Sequence, residues 1–289
     1  MTGPVIAVHG GAGGFGSELQ QRSSEYREAL TSALMAGAAA LDAGGGGVEA
    51  VRAAVIVMED FPLFNAGHGA ALCDDGSVEL SASAMRGGDQ AAGAVALVRC
   101  TRNPVAAAAA MLDQPEVLLA GERADAFAAA RGLEQRDPAE FVTERQRRRL
   151  AARLGAGGAT VGAVCLDAHG LLAAATSTGG LHGQRPGRVG DSPVIGAGTW
   201  ADRHVAVSCT GKGEAFVRAG AARLLGALVA SGVELEAAAR TVLDEVAACD
   251  GDGGLIAVDA HGQVVLPFST DAMPRGVWRR GEDPVVEVP

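Results

Sequence analysis

Thr160 and Thr178 are the residues of this sequence whose type and spacing best suit nucleophilic chemistry. Thr160 begins the apolar run VGAVCLD, directly after the small-residue segment 155–159. The turn at 168–170 predicts a three-residue hairpin loop with Gly170 in the left-handed conformation. The register of that hairpin places Thr160 opposite Thr178, so two hydroxyl groups meet at its open end beside the Gly pair that follows Thr178.

Thr210 is a third threonine in a similar setting. It ends an apolar run and precedes Gly211-Lys212-Gly213, where a helix is expected to begin. Backbone N–H groups at such a helix start can bind an anion or an oxyanion. From the residues alone, however, the commoner interpretation of Thr160 is a β-branched residue that only starts a strand.

Other catalytic signatures are incomplete. Residues 11–16 spell G-x-G-x-x-G after a strand, but no strand ending in an acidic residue follows about 20 residues later, as a dinucleotide site requires. The six histidines show no metal-ligand spacing, and no G-x-S-x-G elbow occurs. Zinc, dinucleotide and serine-triad chemistry are therefore disfavoured.

Composition narrows the class of protein. The chain has 289 residues and a formal net charge of −10, and both of its halves are acidic, which disfavours nucleic acid as a partner. Gly is abundant, at 42 residues, which indicates many turns or close backbone approaches. The five cysteines are odd in number and form no CxxC pair, which indicates a reducing compartment. With no apolar stretch of membrane-spanning length and no signal peptide, we expect a soluble cytoplasmic protein that does not contact membranes.

The elements that must position these threonines alternate in an α+β pattern. Recurring hairpins predict largely antiparallel sheets, covered by helices from both halves of the chain. Helices are predicted at 17–42 with a Ser17/Gln20 capping box, and at 48–60, 104–112, 122–131, 138–154, 213–231 and 235–249. Strands are predicted at 5–9, 78–85, 93–99, 161–167, 171–178, 194–197, 204–209, 255–259 and 263–268.

Seven motifs, in order, carry a resemblance to a known family. They are VHGGAG near the N-terminus, FNAGHG at 64–69, ATVGAV at 159–164, TSTGG at 176–180, PGRVGDSP at 186–193, SCTGKGE at 208–214 and GDGG at 251–254. Together they resemble the plant-type L-asparaginase/isoaspartyl peptidase family of N-terminal-nucleophile hydrolases, over residues from about 5 to 280.

The resemblance implies a precursor that cuts itself between Ala159 and Thr160. The α part (1–159) and the β part (160–289) would stay together as one folded domain, a four-layer αββα sandwich. Two such αβ units would form a homodimer, that is, a heterotetramer of chains. The freed α-amine of Thr160, with an ordinary pKa of about 7.7–8.0, would act as the base for its own hydroxyl. L-Asparagine and β-aspartyl dipeptides would be hydrolysed through a β-aspartyl-threonine ester, with no cofactor for catalysis.

The resemblance also implies roles for individual residues. The catalytic group comprises Thr160, Thr178, Thr210, Gly211 and Asn65, with Thr210 and Gly211 at the oxyanion. The substrate's α-carboxylate and α-ammonium groups would be bound by Arg188, Asp191, Gly211 and Gly213, although Arg188 and Asp191 alone read as a surface ion pair. Main-chain carbonyls of a loop would hold a structural sodium ion: those of Met58, Glu59, Phe61, Phe64, Ala66 and His68.

Four departures from the family pattern leave alternatives open. Ala159 stands where Gly is common, Ser81 and Arg86 stand where Asp is common, and Lys212 lies beside the expected oxyanion site. One alternative is a glycosylasparaginase-like or processing-protease member of the same fold. The other is an unprocessed, inactive binding protein, which Ala159 and the 81–86 stretch motivate.

Overall fold

The computed structural model describes residues 3–152 and 160–289, so Ala159 and the rest of the predicted linker lie outside the described residues. The strands in these two ranges are β1 (Val5–His9), β2 (Leu80–Arg86), β3 (Ala92–Val98), β4 (Leu118–Ala120), β5 (Val161–Leu166), β6 (Leu172–Thr178), β7 (Thr199–Ala201), β8 (Val205–Gly211), β9 (Gly253–Asp259), β10 (Val264–Val265), β11 (Arg275–Arg279) and β12 (Val285–Glu287). The helices in the same ranges are α1 (Ser17–Gln21), α2 (Ser23–Asp42), α3 (Gly47–Glu59), α4 (Pro104–Ala109), α5 (Glu122–Ala130), α6 (Glu144–Ala151), α7 (Gly213–Ala219), α8 (Ala221–Ala230) and α9 (Leu235–Ala248), with a 3-10 turn at Pro138–Phe141.

These strands form two sheets. The larger sheet has eight strands in the order β12-β11-β1-β5-β6-β2-β3-β4, and the smaller has four in the order β10-β9-β8-β7. The neighbouring strands are antiparallel except β3 and β4, which run parallel, so the larger sheet is mixed. The α+β class predicted from the sequence is confirmed, and the larger sheet includes one parallel pair at its edge among otherwise antiparallel neighbours.

The predicted hairpin is confirmed in its register. Gly170 has φ of 75°, and β5 pairs with β6 so that Val161 faces Ser177. Because the register is continuous, Thr160 and Thr178 come together at the open end of the hairpin. A Cβ added at Gly162 would lie 1.9 Å from the Ser208 side-chain oxygen, so β8 of the smaller sheet presses directly onto β5.

Alternation along each strand divides the core into three apolar clusters. Ile6 and Val8 face helices α2 and α3, while Val5 and Ala7 face the smaller sheet, as expected for side chains that alternate across a strand. Helices α8 and α9 cover the other face of the smaller sheet through a separate cluster. Each sheet is therefore buried on the faces that carry its apolar side chains.

Several predicted boundaries are wrong. The helix expected at 17–42 is two helices separated at Arg22, and its first cap residue is Gly16, with no capping hydrogen bond from the Ser17/Gln20 pair. The helix expected at 213–231 breaks at Gly220, which adopts φ of 57°. The region expected to be one helix at 138–154 holds a 3-10 turn followed by α6.

Strands account for the remaining differences. The strand expected at 194–197 is found instead at β7, where Thr199 faces Ser208. The short strands β4, β11 and β12 were not predicted, because strands of three to five residues leave little periodic pattern. In the described part of the chain, no helix is both long and apolar enough to cross a membrane.

Candidate active site

The open end of the β5–β6 hairpin holds two buried hydroxyl groups. Thr160 Oγ1 donates to Thr178 Oγ1 at 3.2 Å, and Thr160 is only 4% exposed. Thr178 Oγ1 also accepts from the backbone N–H of Gly180 at 3.0 Å. The Thr160 hydroxyl is therefore oriented by a fixed partner, as a nucleophile requires.

Ser192 is a further contact of Thr160 that the sequence interpretation missed. Its Oγ lies 3.4 Å from Thr160 Oγ1, and the residue is buried. The available signal was its position directly after Asp191, in the PGRVGDSP motif.

Asn65 supports the turn that follows Thr178. Its Nδ2 donates to the Gly180 carbonyl at 2.6 Å, and its Oδ1 accepts from the Ala71 N–H at 2.6 Å. Asn65 therefore holds Gly180 through its carbonyl, and the N–H of the same residue donates to Thr178 Oγ1. The predicted site residue is thus placed beside the threonine pair.

Thr210 lies at the same end of the sheets as Thr160. The Ala12 N–H donates to Thr210 Oγ1 at 3.0 Å. In β1, His9 pairs with Gly162, and the strands are antiparallel, so the chain after His9 runs toward Thr160. Ala12 lies in this part of the chain, and its contact with Thr210 therefore places Thr210 at the same end. Lys212, which the sequence left open, points elsewhere: it is exposed, and its Nζ donates to the Asp250 carbonyl at 2.6 Å.

Arg188 and Asp191 do not form the surface ion pair that their spacing suggests. Arg188 instead makes a two-point contact with Glu214, with Nε–Oε1 at 2.9 Å and Nη2–Oε2 at 3.0 Å. A Cβ at Gly213 would lie 2.8 Å from Asp191 Oδ1 and 3.0 Å from Arg188 Nη2, so this glycine lets the backbone approach both groups. Glu214 is another residue that the sequence interpretation did not single out.

Asp191 is a buried carboxyl group with an unused acceptor. It is 3% exposed, and its Oδ2 has no hydrogen-bond partner among the described residues. Burial raises its pKa to about 6. A buried carboxylate without a partner is costly, so this geometry suits a cationic group of a ligand.

A chain of buried hydroxyls runs behind the threonine pair, between the two sheets. His9 Nε2 lies 2.9 Å from Ser208 Oγ, which lies 2.7 Å from Thr176 Oγ1. Thr176 Oγ1 lies 2.5 Å from Thr199 Oγ1, which lies 2.7 Å from Ser83 Oγ.

The hydroxyl chain ends at His9 on one side and at Ser83 on the other. Ser83 Oγ connects it to the site by donating to the Ser192 carbonyl at 2.6 Å. Burial lowers the pKa of His9 to about 3, so the imidazole at the His9 end is neutral. Sequence reasoning missed this chain, although Thr176 and Ser208 precede Thr178 and Thr210 by two positions, and a strand places such pairs on one face.

In the loop predicted to hold sodium, carbonyl groups that accept hydrogen bonds alternate with carbonyl groups for which no donor is found among the described residues. The carbonyls of Leu63, Asn65, Gly67 and Gly69 accept hydrogen bonds. Within the described residues, none is recorded for the alternating carbonyls of Phe64, Ala66 and His68. These three oxygens fit the ligands that a hard cation takes.

The other carbonyls of that loop are less available. Met58 O and Phe61 O accept from the N–H groups of Phe61 and Phe64, and Glu59 O accepts from the His68 N–H at 2.7 Å. The Glu59 carboxyl group is buried and accepts from Ser177 Oγ at 2.6 Å. Burial raises its pKa to about 8.

The two departures in β2 are accommodated locally. Ser81 pairs in register with Thr178, and its Oγ accepts from the Leu97 N–H at 3.2 Å. Arg86 lies at the opposite end of the strand, where it contacts Asp89 at 2.8 Å and Asp113 at 2.9 Å. The positive charge of Arg86 is therefore balanced away from the threonine pair.

Comparison with known proteins shows the family of this chain. The family model described as asparaginase matches residues 2–158 and 151–287. The isoaspartyl peptidase of Escherichia coli K12 is 45% identical over 310 residues, covering 100% of this chain and 97% of that protein. The isoaspartyl peptidase/L-asparaginase of Bos taurus is 40% identical over 297 residues, covering 97% of this chain and 94% of that protein. The chain therefore belongs to the asparaginase family.

Proposed function

We propose that this protein is a self-processing threonine amidohydrolase that acts on L-asparagine and β-aspartyl dipeptides. The observation that carries the proposal is the buried hydroxyl pair of Thr160 and Thr178, whose Oγ1 atoms lie 3.2 Å apart. Thr160 directly follows the peptide bond where the cut would fall. The printed names of the relatives, isoaspartyl peptidase and isoaspartyl peptidase/L-asparaginase, support this substrate class over glycosylated asparagine.

Self-cleavage would supply the catalytic base. In the precursor, the Thr160 hydroxyl attacks the carbonyl of Ala159, the C–N bond breaks, and water hydrolyses the resulting ester. The new α-amine of Thr160 has an ordinary pKa of about 7.7–8.0, so much of it is neutral near pH 8 and accepts the hydroxyl proton. Cleavage thus converts a weak nucleophile into an activated one.

The hydrolytic reaction would then follow in two steps. Thr160 Oγ1 attacks the side-chain carbonyl of the substrate, and the tetrahedral oxyanion is stabilised by the Thr210 hydroxyl and the Gly211 N–H. The amine leaves with a proton, giving a β-aspartyl ester on Thr160. Water hydrolyses the ester and releases aspartate.

Substrate orientation would come from a pair of opposite charges. Arg188 binds the α-carboxylate, and Asp191 binds the α-ammonium group, with the Gly213 backbone against both. The buried Oδ2 of Asp191 has no partner in the part of the chain that the structure describes, which supports this role, because an ammonium group would provide the missing hydrogen bond.

The sheet order supports the proposal that both fragments remain together. In the larger sheet, β1 from the first fragment lies between β11 and β5 from the second, and β2 pairs with β6. We propose that helices, larger sheet, smaller sheet and helices form a four-layer αββα sandwich, so that 1–159 and 160–289 remain one folded domain. The family resemblance also supports the proposal that two αβ units form a dimer. Light scattering would measure the mass of this assembly.

A structural sodium ion is also part of the proposal. The carbonyl oxygens of Phe64, Ala66 and His68 would hold it, with the carbonyls of Met58, Glu59 and Phe61 as the remaining candidates. The ion would fix the loop that carries Asn65, without entering the reaction. Thermal unfolding in sodium-free and sodium-containing buffer measures its contribution.

N-terminal sequencing of the aged protein tests the function. We expect two fragments, the smaller beginning at Thr160, together with ammonia release from L-asparagine. Thr160→Ala should remain intact and inactive; a Thr160→Ala protein that still splits at this peptide bond would refute the proposed nucleophile.

A further inference from the structure

Ser192 touches the proposed nucleophile but has no role in the mechanism above. Its Oγ lies 3.4 Å from Thr160 Oγ1, and the residue is only 1% exposed. No other partner is recorded for Ser192 Oγ within residues 3–152 and 160–289. Because a buried hydroxyl group rarely lacks a partner, the oxygen of Thr160 is the group with which this hydroxyl interacts.

The number of hydrogens at Thr160 assigns the donor in this contact. A threonine hydroxyl carries one hydrogen and two lone pairs. Thr160 donates its hydrogen to Thr178 Oγ1 at 3.2 Å, so its own oxygen is the acceptor in the contact with Ser192. Thr178 Oγ1 also accepts from the Gly180 N–H, so both of its lone pairs are occupied. Thr178 therefore accepts from the nucleophile, and Ser192 donates to it.

The backbone of Ser192 is held at the end of the buried hydroxyl chain. Its carbonyl accepts from Ser83 Oγ at 2.6 Å and from Thr199 Oγ1 at 3.5 Å. A Cβ added at Gly198 would lie 2.8 Å from Ser192 Cα, so neighbouring backbone packs directly against this residue. The hydroxyl group of Ser192 consequently approaches Thr160 from a backbone that is fixed on two sides.

The length of the Ser192–Thr160 contact fits a donor that acts on a charged oxygen. At 3.4 Å it is longer than an ordinary hydroxyl hydrogen bond, which is about 2.7–2.8 Å. Catalytic hydrogen bonds are often long in an enzyme without substrate and shorten during the reaction. A hydrogen bond to an ionised oxygen is also shorter and roughly twice as strong as one to a neutral oxygen. Ser192 therefore contributes little while Thr160 is a neutral hydroxyl and most when its oxygen is negatively charged.

The oxygen of Thr160 gains negative charge at two points of the proposed reaction. In the first step, the α-amine takes the hydroxyl proton while Oγ1 attacks the substrate carbonyl. In the second step, the α-amine takes a proton from the attacking water, and the bond between the carbonyl carbon and Oγ1 breaks. The electron pair of that bond stays on Oγ1, which then receives the proton from the α-ammonium group. Ser192 transfers no proton in either step, because a fixed hydrogen bond is enough to stabilise the charge.

We propose that Ser192 is a further catalytic residue, whose hydroxyl group stabilises the negative charge on Thr160 Oγ1 by a hydrogen bond. The inference rests on the proposed function and deepens it, because it adds a donor at the nucleophile to the donors at the substrate oxyanion. The same donor serves self-cleavage, in which the same oxygen attacks the preceding carbonyl.

Ser192→Ala tests the inference, because it removes the hydroxyl oxygen and leaves the backbone contacts in place. In fully processed enzyme, we expect kcat for L-asparagine to fall about ten- to a hundredfold, as for the loss of a hydrogen bond to a charged group. KM should rise less than about twofold. A displaced 191–192 segment would instead weaken the binding of the substrate ammonium group by Asp191 and raise KM. An unchanged kcat, or a loss of kcat/KM that lies wholly in KM, would overturn the inference.

Ser177→Ala is the matched control for the loss of a buried serine hydroxyl. Ser177 directly precedes Thr178 in β6, and its hydroxyl donates to Glu59 Oε1 at 2.6 Å. Because side chains alternate across a strand, Ser177 lies on the opposite face of the sheet from Thr178. This variant should keep kcat for L-asparagine within about twofold of wild type. A loss of kcat as large as that of Ser192→Ala would assign the effect to packing and contradict the inference.

The rate of self-cleavage is a second measurement on the same oxygen. Precursor carrying Ser192→Ala should cut about tenfold or more slowly than wild type on timed denaturing gels, and cutting at the wild-type rate would contradict the inference. If Ser192→Ala does not fold, Ser83→Ala, which removes a donor to the Ser192 carbonyl, should lower kcat several-fold, and an unchanged kcat would contradict the inference. Wild-type enzyme that is inactive on L-asparagine would instead contradict the proposed function.

Discussion

The guanidinium group of Arg188 is held by Glu214, 26 positions along the chain, and not by its near neighbour Asp191. Both Arg188–Glu214 contacts are short, and the contact with Arg188 lowers the pKa of Glu214. Within residues 3–152 and 160–289, the buried Asp191 has one oxygen, Oδ2, without a hydrogen-bond partner. This division leaves Arg188 fixed by Glu214 and Asp191 with an oxygen available to a cationic group, which is compatible with the proposed binding of an α-ammonium group.

The first prediction concerns the pH dependence of substrate binding. Because burial raises the pKa of Asp191 to about 6, the free enzyme loses this carboxylate as pH falls through 6. The ammonium group of L-asparagine then loses its partner, so KM should rise between pH 7 and pH 5, by at most about tenfold per pH unit below the pKa. Initial rates at fixed pH values measure KM.

Asp191→Asn is the control for this pH effect. Its KM should be high at every pH, with no further rise between pH 7 and pH 5, because the amide does not titrate. A wild-type KM that stays constant over this range would show that Asp191 does not bind the ammonium group.

The second prediction concerns Thr178. Thr178→Val removes the oxygen that accepts from Thr160 and keeps the branched shape, so kcat of processed enzyme should fall about a hundredfold. KM should change less than about twofold, because Thr178 orients the nucleophile and not the bound amino acid. Thr178→Ser retains the oxygen and should recover most of kcat. Near-normal turnover by the valine variant would contradict this role.

Local signals in the sequence determined the hairpin and its register. The Asp-Ala-His-Gly turn between two apolar runs needs Gly170 at positive φ, and this fixes which residues face each other across β5 and β6. The Thr160–Thr178 contact follows directly from that register. The motifs then identified the family, which the chain comparisons confirm.

Long-range contacts could not be predicted in the same way. A glycine inside a long helical pattern is usually tolerated, so the pattern alone did not show that Gly220 ends α7 in the left-handed conformation. The choice of Glu214 by Arg188, and the contacts of Ser83 with Thr199 and Ser192, join segments that are distant in the chain. The spacing of these residues in the sequence does not indicate which of them are in contact in the folded protein.

The third prediction tests the hydroxyl chain. Thr199→Val removes the hydroxyl shared by Thr176 and Ser83, which keep Ser208 and the Ser192 carbonyl as partners, and a lost hydrogen bond costs about 0.5–1.5 kcal/mol. The free energy of unfolding should fall by that amount, measured by urea denaturation. Because Ser83 also holds the Ser192 carbonyl, kcat should fall as well.

Thr199→Ser separates the hydroxyl from the rest of the side chain. It loses a methyl group, worth about 1 kcal/mol, but keeps the hydroxyl bonds, so kcat should remain near the wild-type value. Equal loss of kcat in the serine and valine variants would assign the effect to packing and not to the hydroxyl chain.

The last prediction concerns Glu59 and stability. Burial raises its pKa to about 8 from an ordinary value of 4.5, so the folded protein holds a proton that the unfolded chain has released. Between those two pKa values the folded state binds more protons, and stability must therefore decrease as pH rises from 4.5 through 8. Glu59→Gln removes this titration, so the difference in unfolding free energy between pH 6 and pH 9 should shrink by a few kcal/mol. Comparing the variant with wild type at each pH cancels the contributions of other groups; an identical pH slope in both proteins would show that Glu59 does not bind this proton.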